Sequence, residues 1–592
     1  MAEIRLLHFF LNNFTGEIMS FQIRQRAFAV DDFVCRAGRA LRTLTMTFVG
    51  AGVIALGASA SAADAAPPAA SCDPYKKYEC LDSNLGDGVW ERLINYYGLE
   101  WGQPGAPTDP KAPPSRRDYY PPAAQTTPPM PFTEWPYGGT TSIGVTRPGS
   151  IDSPFMTAIA NTGFGKLLTD NNFQVYGWVD VGGNISSSTV KPGGNAPAAY
   201  LYTPNTFQLD QAVLYLDRFP DTVQKDHIDW GMRLSAIYGE NYRYTTAYGL
   251  DSGQLLNRNK VNGYDFPMFW GELFIPQVYD GLMLRLGRFI SLPDIEAQLA
   301  PNNYMYTHSM TYTFDNYTNT GLQSSLAVTK NWIVQLGLTV GTEASVMHLK
   351  STLVNPYPNV PGTGPGQIGY NPLYPGATFK QDPGAMPSWT ICGRYTSDNG
   401  KDDVNFCADA INKGTYGYNN LQWWGATAYH TFNDKWHVSW EGYTLYMKGV
   451  PNALNGDVQT IYANGGAPFS SRFIPFNAPG LAICSSATVL SCTATVYTTT
   501  AYLNYSRDPL NNFSIRPEWY WDAQGQRTGA ATRYGNLAFG WQHWWSPQLE
   551  ARPEIAYYHS FNAVAFNGNS NAGIAPNKAN EVIVSGDLIF HF

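Results

Sequence analysis

Val582-Ile583-Val584-Ser585-Gly586-Asp587-Leu588-Ile589-Phe590-His591-Phe592 is the stretch on which the fold turns. Val582, Val584, Gly586, Leu588, Phe590 and Phe592 share one face, and Ser585, Asp587 and His591 the other, because successive side chains of a strand project to opposite sides. The same period of two returns upstream. From Phe173 to Val181 the odd positions are Phe173, Val175, Gly177, Val179 and Val181, while Gln174, Tyr176, Trp178 and Asp180 fall between them. From Trp332 to Val340 the apolar set is Trp332, Val334, Leu336, Leu338 and Val340. Similar segments of roughly ten residues, parted by Gly, Asn, Asp and Pro, lie near 207–217, 228–239, 266–275, 282–290, 320–329, 387–396, 420–431, 435–446, 494–505, 512–521, 536–545 and 549–558. Fifteen are legible. Single-chain bacterial barrels have even strand numbers, so one segment is spurious or missing, and the expectation is an all-β transmembrane antiparallel barrel of about 14–16 strands.

Composition agrees. Of 592 residues, 14% are charged and 14% aromatic, with 56 Gly and 41 Pro, against a usual charged share of about 25%. Mean hydropathy is -0.26. Only one long apolar segment occurs, so a polytopic helical membrane protein is excluded. That segment, Met46 to Ala60, follows Arg36, Arg39 and Arg42 and precedes Ala58-Ser59-Ala60-Ser61-Ala62, the order of a cleaved secretory signal peptide within residues 1–62. The long stretch before it suggests a start at Met19 or nearer Arg36. The leader carries six Lys and Arg and four Asp and Glu, so its removal takes the formal charge from -8 to -10. An acidic surface speaks against nucleic acid.

Residues 63–150 are Pro-rich and read as a periplasmic extension, a tether or plug rather than a packed domain. One helical stretch is expected from Val89 to Tyr97, with Trp90, Leu93 and Tyr97 on one face. Residues 151–592 are assigned to the barrel. Outside the leader, six cysteines form three local couples, Cys72 with Cys80, Cys392 with Cys407, and Cys484 with Cys492. Six cysteines allow 15 pairings; near-neighbour disulfides in an exported chain are the simplest. The hydrophilic run Ser397-Asp398-Asn399-Gly400-Lys401-Asp402-Asp403 suggests that Cys392 and Cys407 decorate a long outward-facing turn, as do Cys484 and Cys492. Asn355 to Ala385, rich in Pro and Gly, reads as a further loop over or into the mouth.

A word recurs in two late strands: Ile515-Arg516-Pro517-Glu518-Trp519 and Ala551-Arg552-Pro553-Glu554-Ile555. By parity Arg516, Glu518 and Asp522, and likewise Glu550, Arg552 and Glu554, face the lumen. A proline removes a ladder donor, so its repetition suggests a local irregularity such as a bulge. These words, Asp522-x-x-Gly525-x-Arg527-Thr528-Gly529, the opening Val175-Tyr176-Gly177-Trp178-Val179-Asp180, and Leu286-Gly287-Arg288-Phe289 followed by Glu296 and Asn302-Asn303 resemble the OmpL-like beta-barrel porin-2 family of bacterial outer-membrane porins, over residues 150–592. Pro293-Asp294-Ile295-Glu296 departs from the Gly-rich approach to the glutamate expected there. The closing Phe590 and Phe592 also resemble the C-terminal signal by which outer-membrane proteins are read by the barrel-assembly machinery.

The expected function is passive diffusion of small hydrophilic solutes or ions across the outer membrane of a Gram-negative cell. Expected partners are membrane lipid, the assembly machinery, solutes and further copies in a homotrimer. The alternative is a secreted β-rich carbohydrate-binding or adhesive protein. The histidines are scattered and no Gly-x-Ser-x-Gly elbow is present, so an enzyme is not expected. No cofactor is expected, and without CxxC or paired His no metal site is. Pore-lumen candidates are Arg285, Arg516, Glu518, Asp522, Glu550, Arg552 and Glu554. They serve either to brace the wall or to select ions, with Glu518 and Glu554 favouring a weak cation preference. Trp423, Trp424, Trp436, Trp440, Trp519, Trp541, Trp544 and Trp545 read as an interface girdle rather than a sugar slide.

Overall fold

A computed structural model describes residues 72–102 and 153–592, apart from 199, 257–259, 293, 348–351, 354–379, 383–385, 418–419, 464–479, 509, 547 and 570–572. The leader and most of the Asn355–Ala385 loop lie outside the described residues. The first strands are β1 (Phe173–Ser186), β2 (Phe207–Arg218), β3 (Asp229–Gly239), β4 (Gly263–Asp265 and Phe269–Ile275), β5 (Leu282–Ile290) and β6 (Thr318–Ala327). They continue as β7 (Trp332–Thr342), β8 (Ser388–Thr396), β9 (Asp402–Ile411), β10 (Gln422–Thr431) and β11 (Trp436–Pro451). The remainder are β12 (Ser491–Asp508), β13 (Asn511–Asp522), β14 (Thr532–Ser546), β15 (Leu549–Ala551 and Glu554–Ser560) and β16 (Asn580–His591).

Each strand pairs antiparallel with its neighbours in sequence, and β16 returns to β1, with Trp178 opposite His591 and Ser186 opposite Ile583. The ring is therefore a closed 16-strand barrel. Closure leaves no edge with unpaired backbone groups, the condition for a sheet in lipid. Alternation decides which face is which. Leu286, Leu322, Leu336, Ile391, Phe406, Ile515, Leu537 and Val584 are exposed on the outside, while their neighbours Arg285, Gln323, Gln335, Thr390, Asn405, Arg516, Asn536 and Ser585 are buried within. This inside-out distribution is what a lipid-facing barrel requires and a secreted binder does not.

The strand missing from the sequence reading is β9. Cys392 and Cys407 consequently stand opposite each other on β8 and β9 and are disulfide-linked across the wall. The turn between them, 397–401, is short, so the expected long outward-facing turn is corrected there. Cys484 and Cys492 do close part of the long 452–490 loop, and Cys72 joins Cys80. The expected bulge is also corrected. At Pro517 the β12–β13 ladder is interrupted between Thr500 opposite Glu518 and Leu503 opposite Ile515, yet the register is unchanged. At Pro553 strand β15 is broken, but Ala551 and Glu554 pair with Leu588 and Ser585 in one register. Each proline leaves a gap in the ladder without inserting a residue.

Trp332 against Tyr395 and Trp436 against Tyr505 form outward pairs at the short-turn end, with ring centroids 5.0 and 4.6 Å apart. Trp424, Trp440, Trp541 and Trp545 are also exposed outward. Trp423 and Trp544 are not girdle residues: both are buried inside.

The helix expected at Val89 to Tyr97 is α1 (Val89–Gly102). Trp90, which the sequence sets on one face with Leu93 and Tyr97, is 74% exposed, whereas Arg92 and Tyr96 are buried. Tyr96 packs with Leu81 and Leu85, and Tyr97 stacks on Phe590 at 4.9 Å. Two further helices, α2 (Pro154–Ile159) and α3 (Gly163–Asp170), are N-capped by Ser153 and Thr162. Their Met156, Ile159 and Leu168 pack with Phe173, Val175 and Leu216 of β1 and β2.

Candidate constriction site

The described residues of 291–317, between β5 and β6, are buried almost throughout although they form no strand. Strand β5, which leads into it, contains Gly287, whose φ is +147° and whose place a Cβ could not take without lying 2.2 Å from the Phe269 carbonyl oxygen. Next to it Arg288 is ion-paired with Asp265 at 2.7 Å and donates to the Phe266 carbonyl. From there the loop enters the barrel. Inside, buried backbone groups need partners, and the wall supplies them.

Glu518 accepts from the backbone N–H groups of Met310 (3.0 Å) and Thr311 (2.6 Å) and from the Thr311 hydroxyl (2.7 Å). These are the first free amides of a single helical turn, Met310–Thr313, whose Ser309 side chain also caps Tyr312 N–H at 3.0 Å. Glu554 accepts from the Thr307 N–H at 2.8 Å and from its hydroxyl. Arg516 donates to the Thr307 carbonyl, to its hydroxyl at 2.8 Å and to Tyr502 at 3.2 Å. It stands 3.5 Å from both Glu296 and Glu554. Arg552 donates to the carbonyls of Ala300 and Asn303 and is paired with Asp587 on β16. The repeated Arg-Pro-Glu word is thus a loop seat: its arginines take loop carbonyls and its glutamates take loop amides. The proline after each arginine biases that arginine toward the extended conformation that aims it inward.

The other candidates are separate. Asp522 accepts from the N–H groups of Gln526, Arg527 and Thr528 at 3.0, 2.8 and 2.8 Å, closing the β13–β14 connection. Arg527 in turn donates to the Phe314 carbonyl of the inserted loop at 3.1 Å. Glu550 accepts from Gln542 at 2.7 Å and meets His591 at 3.2 Å near the short-turn end. Arg285 pairs with Glu272 at 2.8 Å and lies over Trp270 on another part of the wall. Phe592 exchanges backbone hydrogen bonds with Gly177, while its ring occupies the space a Gly177 Cβ would fill, 2.7 Å away.

Sequence reasoning missed several seats. Tyr306 donates to Asp210 at 2.8 Å, Gln211 holds the Gln298 carbonyl and the Ala300 N–H, and Asn316 donates to Asp409 at 2.7 Å. A signal existed. For a long hydrophilic-looking connection, 291–317 has few charges and four tyrosines, Tyr304, Tyr306, Tyr312 and Tyr317. Burial acts on the loop's titratable groups: it raises the Glu296 carboxyl, opposed by Arg516, and lowers His308 to about 3, so His308 is neutral.

Residues 172–592 match the family described as "Putative beta-barrel porin-2, OmpL-like". No curated protein sequence matches the chain. Among solved structures it is similar to an anion-selective porin from Comamonas acidovorans, at 10% identity and a TM-score of 0.39, covering 71% of this chain and 99% of that one. The outer-membrane channel DcaP of Acinetobacter baumannii gives 9% identity and a TM-score of 0.38, with 71% and 97% covered. OmpT of Vibrio cholerae, a trimer form, gives 9% and 0.37, with 71% and 99% covered.

Proposed function

The chain belongs to the OmpL-like beta-barrel porin-2 family and is an outer-membrane porin, and on that premise we propose that the inserted loop 291–317 is its constriction. A porin passes small hydrophilic solutes through a polar interior; the polar face of this barrel is turned inward and carries a loop fastened to several strands. That fastening is the observation on which the reading rests. A loop held through so many buried hydrogen bonds keeps one position, and the solute path is what it leaves.

We assign Arg516, Glu518, Arg552 and Glu554 to seating the loop rather than to selecting ions. Their charges are spent on loop amides, loop carbonyls and each other. Any ion preference then arises from residues beside the path, and within a Debye length of about 8 Å only those matter. We expect at most weak cation selectivity. Glu518→Gln with Glu554→Gln should leave the reversal potential in a salt gradient unchanged and alter conductance instead; a shift of the reversal potential would return both residues to solute selection.

The remainder of the reading is that residues 1–62 are removed on export, that the assembly machinery of a Gram-negative cell reads Phe590 and Phe592, that residues 63–150 lie in the periplasm, and that three copies associate. Support for export comes from the basic-then-apolar order of the leader and its Ala-x-Ala frames. N-terminal sequencing of the protein extracted from outer membrane tests the cleavage, with a start after Ala60 or Ala62 expected and an intact leader against it.

A further inference from the structure

Asp294 and Asp315 stand near the two ends of the inserted loop, and Glu441 faces them from β11. All three are buried, and one carboxylate oxygen of each lies within 4.8 Å of the others. Each carboxylate spends one oxygen on the protein. Asp294 Oδ2 accepts from Ser291 at 2.8 Å, Asp315 Oδ1 from the Asn316 N–H at 2.6 Å, and Glu441 Oε2 from the Ile295 N–H at 2.9 Å. The second oxygen of each, Asp294 Oδ1, Asp315 Oδ2 and Glu441 Oε1, is buried with no donor from the protein, and the Asp294 and Asp315 carboxyls lie within hydrogen-bonding reach of each other. Four other carboxylates inside the barrel are paired with arginines, Asp217 with Arg233, Glu272 with Arg285, Asp403 with Arg394, and Asp587 with Arg552. Among the described residues none of these three has an ion-pair partner. Orphaned anionic oxygens in a desolvated interior cost far more than paired ones, so a cation is what the arrangement lacks.

We propose that Asp294, Asp315 and Glu441 bind a Ca2+ ion that clasps both ends of the constriction loop to β11. The donors are all carboxylate oxygens, with no nitrogen or sulfur, which suits a hard divalent cation rather than a transition metal. Mg2+ gives up its water reluctantly and is seldom held by protein carboxylates alone, whereas Ca2+ accepts such a set, which favours Ca2+ in a buried site. Glu441 also bonds the loop backbone at Ile295, so the wall and both loop ends meet at one point.

The test uses the full folded protein, refolded without lipopolysaccharide, stripped with EGTA and dialysed against radioactive Ca2+, with Mg2+ as competitor. About one Ca2+ per chain is expected, with at least a tenfold weaker affinity in Asp315→Asn and in Glu441→Gln, both first shown to be folded by heat-modifiable migration. Ca2+ should also raise the temperature of that migration change in the native sequence and not in the variants. Absence of Ca2+ binding, displacement by equimolar Mg2+, or equal binding by folded Asn and Gln variants would overturn the proposal; the three carboxyls would then be sharing protons. Should neither variant fold, the chelator alone decides, since loss of thermal stability on EGTA treatment and its restoration by Ca2+ is required.

Discussion

Arg516 is fully buried, and its partners come from distant parts of the chain: Glu296 and Thr307 of the inserted loop, Tyr502 of β12 and Glu554 of β15. Removing one member of a buried ionic set leaves the others uncompensated, at about 3–5 kcal/mol. Arg516→Met should therefore lower the temperature of heat-modifiable migration and unseat the loop, read as larger or noisier conductance. An unaltered migration temperature would contradict that arithmetic. Gly177 makes a second case at this scale. A side chain there meets the Val213 carbonyl at 2.0 Å and the Phe592 ring at 2.7 Å. Gly177→Val is expected to impair closure of the β1–β16 seam, measured as a reduced fraction of folded barrel; normal folding yield would count against the seam geometry.

Among elements, alternation was legible wherever turn residues bracketed it, and β9 shows where it was not. Asp403, Asn405, Cys407 and Asp409 point inward while Phe406 is exposed outward, so the pattern is present. The strand was hidden because its first acidic residues continue the hydrophilic run of the 397–401 turn, and because the cysteine drew the segment toward a loop reading. The inserted loop was out of reach for a different reason. It has no period, and its partners lie hundreds of residues away, as with Met310 and Glu518; a strand pattern gives parity but not what fills the lumen. Hence the direction of Arg516, Glu518, Arg552 and Glu554 was readable and their partner was not. For the disulfides, peptide mapping under non-reducing conditions should return Cys392 with Cys407 and Cys484 with Cys492. Because β8 and β9 are already paired by their ladder, replacing both wall cysteines by serine should cost at most the roughly 3 kcal/mol of a loop of that length.

For the whole molecule, the outer surface is an apolar solvent contact and the interior a polar one, the reverse of a soluble protein. Leu336, mid-strand in β7, is 51% exposed on that outer face. Leu336→Arg should cost about 2–4 kcal/mol in a bilayer, seen as a lower urea midpoint for folding into vesicles. Gln335, the next residue, is buried inside and bonded to Ser325, so Gln335→Glu should change conductance with less effect on insertion. The current through single barrels in a planar bilayer is the most direct test of the constriction. Discrete, reproducible steps are expected for the native sequence and larger or fluctuating steps for Arg516→Met, because the loop then leaves its seat. Folded, heat-modifiable protein that inserts and conducts nothing would contradict the porin, and identical steps in both proteins would contradict the constriction.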